Sequence, residues 1–197
     1  MKRRADHFVS HIISSVGHPV LLVSVFVVLV NFKEFGLEKA KSLTFLALGF
    51  FVVPVCLYIL YKMWRGDYKN FDVSTRQNRN SLYPLIIFLQ AALLVYLYVR
   101  DYSWVIFSGL LSGLILTVLG FIINQFLKVS MHTTVSFFIA ILLIHVENDY
   151  SFSMLFFAVL IAYSRVNLGR HTFPEIAVGT ALGLFSGLCF HLLINYL

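Results

Sequence analysis

Apolar residues in this chain come in long runs broken by short polar stretches. The runs lack the alternation of a half-buried strand, and several are too long for strands, so they are read as helices. A helix that crosses a bilayer needs roughly 20 mostly apolar residues. By that measure seven spans are predicted, at Ser15–Phe32, Ser42–Lys62, Leu82–Val99, Ser103–Ile123, Thr133–Glu147, Phe152–Tyr163 and Glu175–Leu197. The fifth and sixth are short in their apolar core. They reach full length only by absorbing polar neighbours from Ser130 and up to about Leu168, which would put those residues at membrane depth. The expected fold class is all-α, a polytopic transmembrane helix bundle of about six to seven spans.

Composition sharpens that picture. Of 197 residues, 59% are hydrophobic and only 12% charged, about half the charge of a soluble domain. A soluble fold of this length could not hide so much apolar surface. An ordinary cytosolic enzyme, a disordered tail and a collagen-like chain are therefore excluded. Cys56 and Cys189 lie in apolar runs without CxxC spacing, so a disulfide-stapled module and a zinc ribbon are excluded too. The net charge of +6 reports orientation and lipid phosphate contact rather than nucleic acid, and no nucleic-acid partner is expected. Lys2, Arg3 and Arg4 precede the first span with no small-residue cleavage site after it, which predicts a retained signal anchor. Gly179, Gly183 and Gly187 recur every fourth residue, and Gly109 and Gly113 have the same spacing. Such spacing serves close helix approach, expected here within one chain; it leaves the oligomeric state open.

The polar connectors divide into two kinds. Lys33–Lys41, Arg100–Tyr102 and Asn148–Ser151 are short and bland. Met63–Ser81, Asn124–His132 and Ser164–Pro174 carry Arg, His, Ser, Lys and Asn, and with seven spans all three fall on one membrane face. In the first, Arg76 and Arg79 are three apart and share a helix face, which suits an oxyanion. In the second, Lys128, Ser130 and His132 precede a helix start, where backbone amides favour anions. In the third, His171 and Glu175 are four apart across a helix start marked by Pro174. A carboxylate on one imidazole nitrogen leaves the other free to attack or take a proton; a plain capping pair is the simpler use of the same residues. His7 and His11 are too few for a metal site, and His18, His145 and His191 read as structural.

Together the three segments resemble the type 2 phosphatidic acid phosphatase (PAP2) superfamily. Its pattern is Lys-x6-Arg-Pro, then Pro-Ser-Gly-His, then Ser-Arg-x5-His-x3-Asp. The third motif is matched by Ser164-Arg165, His171 and Glu175 at the same spacing, with Glu for Asp. The second is matched by Val129-Ser130-Met131-His132, keeping Ser and His. The first is matched by Lys69 and Arg76 with Gln77 for proline, or in a divergent form by Asp72, Arg76 and Arg79. The resemblance covers about Lys69 to Gly179. It implies one integral membrane domain over 1–197, with 1–62 as N-terminal anchor spans and 63–197 as a catalytic core of that superfamily. It also implies roles: His171 as nucleophile through a phosphohistidine, Glu175 as its orienting carboxylate, and His132 as general acid and then base. Lys69, Arg76, Arg79, Lys128, Ser130 and Arg165 would hold the phosphate. No metal and no cofactor are implied, and HExxH, Asp-rich and Walker-type patterns do not occur.

The function expected is metal-independent hydrolysis of a phosphomonoester or diphosphate of a membrane lipid, of the phosphatidic acid, phosphatidylglycerol phosphate or polyisoprenyl diphosphate class. The partners are that lipid and the bilayer. Alternatives are a lipid phosphotransferase of the same fold and a non-enzymatic membrane transporter, which the near absence of mid-span charge disfavours. Most of the 15 Lys and Arg residues lie on the site-bearing face and N-terminus. The positive-inside rule then predicts a site facing the cytoplasm, and the resemblance implies a bacterial inner membrane as its location.

Overall fold

In a computed structural model, the backbone is described for residues 2–196 and the side chains for residues 6–195. The predicted end of the last span at Leu197, and the side chains of Lys2, Arg3 and Arg4, lie outside the described residues. Among the described residues there are helices and no strands.

The chain begins with α1 (Lys2–Val16) and α2 (Pro19–Glu34), bent 51° apart at Gly17-His18. His18 caps α2, its Nδ1 accepting from Val20 N at 3.3 Å, and Pro19 starts the helix where no N–H is needed. A Cβ on Gly17 would lie 2.6 Å from the side chain of Ile161, so glycine lets the end of α1 approach its neighbour. Next, α3 (Leu37–Ala47) and α4 (Val53–Trp64) form one rod through a π turn at Leu48–Val52. Pro54 explains the wide turn, since its ring has no N–H and crowds the carbonyl one turn back. Then come α5 (Arg76–Val99), α6 (Trp104–Asn124), α7 (Met131–Val146), α8 (Asn148–Asn167) and α9 (Phe173–Tyr196).

Four of these stretches are long and apolar enough to cross a membrane: Leu37–Trp64, Arg76–Val99, Trp104–Asn124 and Phe173–Asn195. The bent pair α1–α2 raises the number to five if it counts as one span. Large apolar side chains such as Phe45, Leu57, Phe88, Val95, Phe156 and Leu188 point outward. That inverts a soluble protein and fits an integral membrane protein. The shorter α7 begins at Met131, just past Ser130, and α8 runs through Ser164 and Arg165 to Asn167, short of the Leu168 limit read from the sequence.

Helix α7 is the centre of the bundle. It is buried from His132 to Ala140 and packs on α8, α9 and α2. The apolar core around it joins Leu22, Leu116, Phe138, Leu142, Ile161 and Phe190. The glycine stripe of α9 faces it. A Cβ on Gly179 would lie 2.7 Å from Thr133 Oγ1 and 2.9 Å from Ser130 O, while Gly183 and Gly187 abut Thr134 and Ile141. The stripe is thus an intramolecular seam, and it brings the start of α7 against the start of α9.

Candidate functional site

The third polar connector is built by a helix stop and a helix start. Gly169 takes a left-handed backbone, φ +62°, just past α8, a conformation that costs other residues about 1–2 kcal/mol. The chain reverses there, and the amides of Arg170 and His171 donate back to Arg165 O at 3.0 and 3.3 Å. His171 Nδ1 then lies 2.8 Å from Glu175 Oε2, which also accepts from Thr172 N at 3.2 Å. Glu175 therefore both caps α9 and holds the imidazole, so the two uses read from the sequence coexist. The His171 side chain is fully covered, and its Nε2 has no hydrogen-bond partner.

The second connector meets the third across the glycine seam. Ser130 donates its backbone N–H to Glu175 O at 3.4 Å, and its buried Oγ has no partner. Lys128 Nζ donates to Arg170 O at 2.9 Å. His132, in the first turn of α7, has Nδ1 3.4 Å from Asp72 Oδ1.

The first connector separates the arginines that the sequence paired. Arg79 is buried, its Nε donating to Val73 O at 3.0 Å and its Nη1 to Val129 O. Arg76 turns away to Phe126 O at 2.9 Å, and Lys69 is exposed. Arg165 closes the group: Nη2 donates to Asp72 Oδ2 at 2.6 Å, Nη1 to Ser14 Oγ at 2.7 Å, and Nε has no partner. The structure thus gathers His171, Glu175, His132, Ser130, Lys128, Arg165 and Arg79. It does not bring Lys69 or Arg76 into that group.

Electrostatics follow from this packing. Burial, then the charges of Arg79, Lys128 and Arg165, hold His171 far below the usual histidine range, to about 2, even with Glu175 on Nδ1. Burial and Arg79 push Lys128 below the ordinary lysine range, with the carboxylate of Glu175 opposing. At neutral pH His171 is a neutral ring inside a positive field. In the unfolded chain it would take a proton near pH 6.5. Below that pH the unfolded state binds a proton that the folded state does not, so stability falls as pH falls. Between pH 7.5 and 5 the wild type should lose about 2 kcal/mol more stability than His171→Gln, read from thermal midpoints in detergent. Parallel losses in the two proteins would mean that His171 is not held neutral.

A cleft of about 690 Å³ opens beside this cluster, lined by Asp72, His132 and Arg165 together with Leu21, Val52, Cys56, Ser14 and Arg170. His18, Phe71, Asp72 and His132 also line a second cavity of about 90 Å³, whose walls include Arg79. His171 lines neither. His18, Asp72 and His132 offer ligand atoms within 4.8 Å of one another, the one group of metal-ligating type among the described residues. Arg165 already places a positive charge 2.6 Å from that carboxylate.

Three contributors were missed in the sequence: Ser14, His18 and the role of Asp72. His18 sits edge-on to His132, ring centroids 5.2 Å apart. The N-terminal segment is therefore more than an anchor, since Ser14 and His18 reach the site. The lone carboxylate within the cationic Lys69–Arg79 stretch was the available signal for Asp72. Compared with protein-family models, curated proteins and solved structures, the chain matches none.

Proposed function

We propose that this protein is a metal-independent phosphatase that acts on the phosphate of a membrane lipid through a phosphohistidine on His171. One observation carries the reading: an imidazole held on Nδ1 by Glu175 with its buried Nε2 unpartnered, which burial and the charges of Arg79, Lys128 and Arg165 keep from protonating. Buried polar atoms without partners need an explanation. Here Nε2 of His171, Oγ of Ser130 and Nε of Arg165 share that condition, and all three suit a phosphoryl group. A cleft whose lining joins Arg165 and His132 to apolar Val20, Leu21, Val52 and Leu168 suits an amphiphile with a charged head.

The chemistry runs in two displacements. His132 first takes the proton of the monoanionic phosphate. His171 Nε2 attacks phosphorus, the P–N bond forms, the P–O bond to the lipid breaks, and His132 gives that proton to the departing oxygen. Water then attacks phosphorus and passes a proton to His132. The P–N bond breaks, and inorganic phosphate leaves with that proton, restoring both neutral histidines. Arg79, Arg165 and Lys128 stabilise the equatorial oxygens, and Ser130 adds a hydrogen bond. On this reading the bundle has the core of the type 2 phosphatidic acid phosphatase superfamily, and α7, α8 and the bent pair bring the spans to seven.

The test is phosphate release from short-chain phosphatidic acid, phosphatidylglycerol phosphate and a polyisoprenyl diphosphate, in detergent with excess chelator. Release that survives chelation is expected. Loss restored by magnesium or zinc, or no release from any of the three, would sink the proposal. The site is further proposed to face the cytoplasm, from the excess of Lys and Arg on its face, in the bacterial inner membrane that the resemblance implies. With Cys56 and Cys189 removed, Asn70→Cys in intact cells should resist a membrane-impermeant maleimide. Ready labelling would reverse the orientation.

A further inference from the structure

We propose that Asp72 is the positioning carboxylate of His132, so that the site holds two carboxylate–imidazole pairs, Glu175 with His171 and Asp72 with His132. This rests on the phosphoryl-transfer reading of the site. The two pairs share one placement, though only the first is hydrogen-bonded. In each, a carboxylate oxygen faces Nδ1, at 2.8 Å for His171 and 3.4 Å for His132. For His171 the hydrogen bond directs the proton to Nδ1 and leaves Nε2 for chemistry; for His132 the same placement does so once the contact shortens to hydrogen-bond length. The second distance is at the long end, and such contacts tighten when substrate binds and the ring becomes cationic. Oδ1 of Asp72 is buried and accepts no hydrogen bond, so nothing competes with His132 for it.

The surroundings set the carboxylate in place. Its other oxygen takes the Arg165 fork at 2.6 Å, and Ser14 Oγ anchors the far side of that fork at 2.7 Å. The next residue, Val73, has φ +46°. A β-branched residue is a clear outlier there, at a cost of order 1–3 kcal/mol. The strain is held by Arg79 Nε on Val73 O and by burial of the Val73 side chain beside Val55, Ile59 and Leu89. A backbone strained and braced at this point fixes where Asp72 stands. Arg165 Nε stays without a partner while Nη2 holds Asp72, so a phosphate can bind Arg165 without evicting the carboxylate. With Asp72 facing Nδ1, Nε2 takes a proton from the monoanionic phosphate as substrate enters, the carboxylate offsets the charge the ring then carries, and Nε2 returns that proton to the departing oxygen.

The test uses Asp72→Asn, which keeps the shape and an acceptor for Arg165. With phosphatidic acid, kcat should fall about 100-fold, the scale of general-acid loss, while KM stays within about three-fold. With p-nitrophenyl phosphate, whose leaving group needs no proton, the fall should be under about five-fold. Asp72→Asn combined with His132→Gln should be no slower than His132→Gln alone. In ¹⁵N-histidine spectra of the wild type, His132 should carry its proton on Nδ1, and Asp72→Asn should lose that preference. Equal losses with both substrates, multiplying losses in the double variant, or an Nε2–H tautomer in the wild type would overturn the proposal. So would activity lost in chelator and restored by a divalent cation, which would make His18, Asp72 and His132 a metal site. If the wild type cleaved neither substrate, the phosphatase reading would fail, and the tautomer would still decide the role of Asp72.

Discussion

His171→Gln should abolish phosphate release, by about 10⁴-fold or more, with both a lipid phosphate and p-nitrophenyl phosphate. The ring is hydrogen-bonded to a carboxylate on Nδ1 and keeps its buried Nε2 without a partner. No leaving group, however good, can bypass a lost nucleophile, so both substrates fail together. His132→Gln should behave differently, severe with the lipid and milder with the nitrophenyl ester. The folded protein should persist in His171→Gln, since the amide of the introduced glutamine can still reach Glu175. Near-full activity in His171→Gln would remove His171 from the chemistry. The measurement is initial-rate phosphate release, with a thermal midpoint taken on the same sample.

Arg79 and Arg76 should part company as sharply. Arg79→Gln is expected to cost about 10²–10³-fold in kcat, the scale of losing one preorganised charge donor. It also strips two buried carbonyls, Val73 O and Val129 O, of their donor. A stability loss of about 1–3 kcal/mol should accompany it. Arg79→Lys keeps the charge but cannot reach both carbonyls, so its activity should fall between. Arg76→Gln removes a contact to Phe126 O at the partly exposed start of α5 and should stay within about five-fold of wild type. The reverse ranking, with Arg76→Gln crippling and Arg79→Gln mild, would place Arg76 on the phosphate.

Much of this is legible in the amino-acid sequence itself. Long apolar runs name helices because a bilayer demands internal satisfaction of every backbone group, and the described fold is all-helical. The His171–Glu175 pair could be read because an i,i+4 spacing fixes geometry locally. Arg76 and Arg79 could not be told apart from sequence. Both sit on the first turns of α5, and only the carbonyls of Phe126, Val73 and Val129 decide where each fork goes. Ser14 and His18 were missed for the same reason. They meet Arg165 and His132 across well over a hundred residues, through the bend at Gly17-His18 and the packing of α1 on α8. The span limits shifted where polar residues continue a helix, as at Arg76–Ser81, where charge count in sequence marks a connector and the backbone stays helical.

The central claim is a covalent phosphohistidine at residue 171. The most direct measurement is to mix the purified protein with ³²P-labelled phosphatidic acid in excess chelator, quench in alkali, and map the label by peptide. An alkali-stable, acid-labile label on the peptide containing His171, absent in His171→Gln, is the result expected. Steady phosphate release with no label, or an acid-stable label on Ser130, would contradict it.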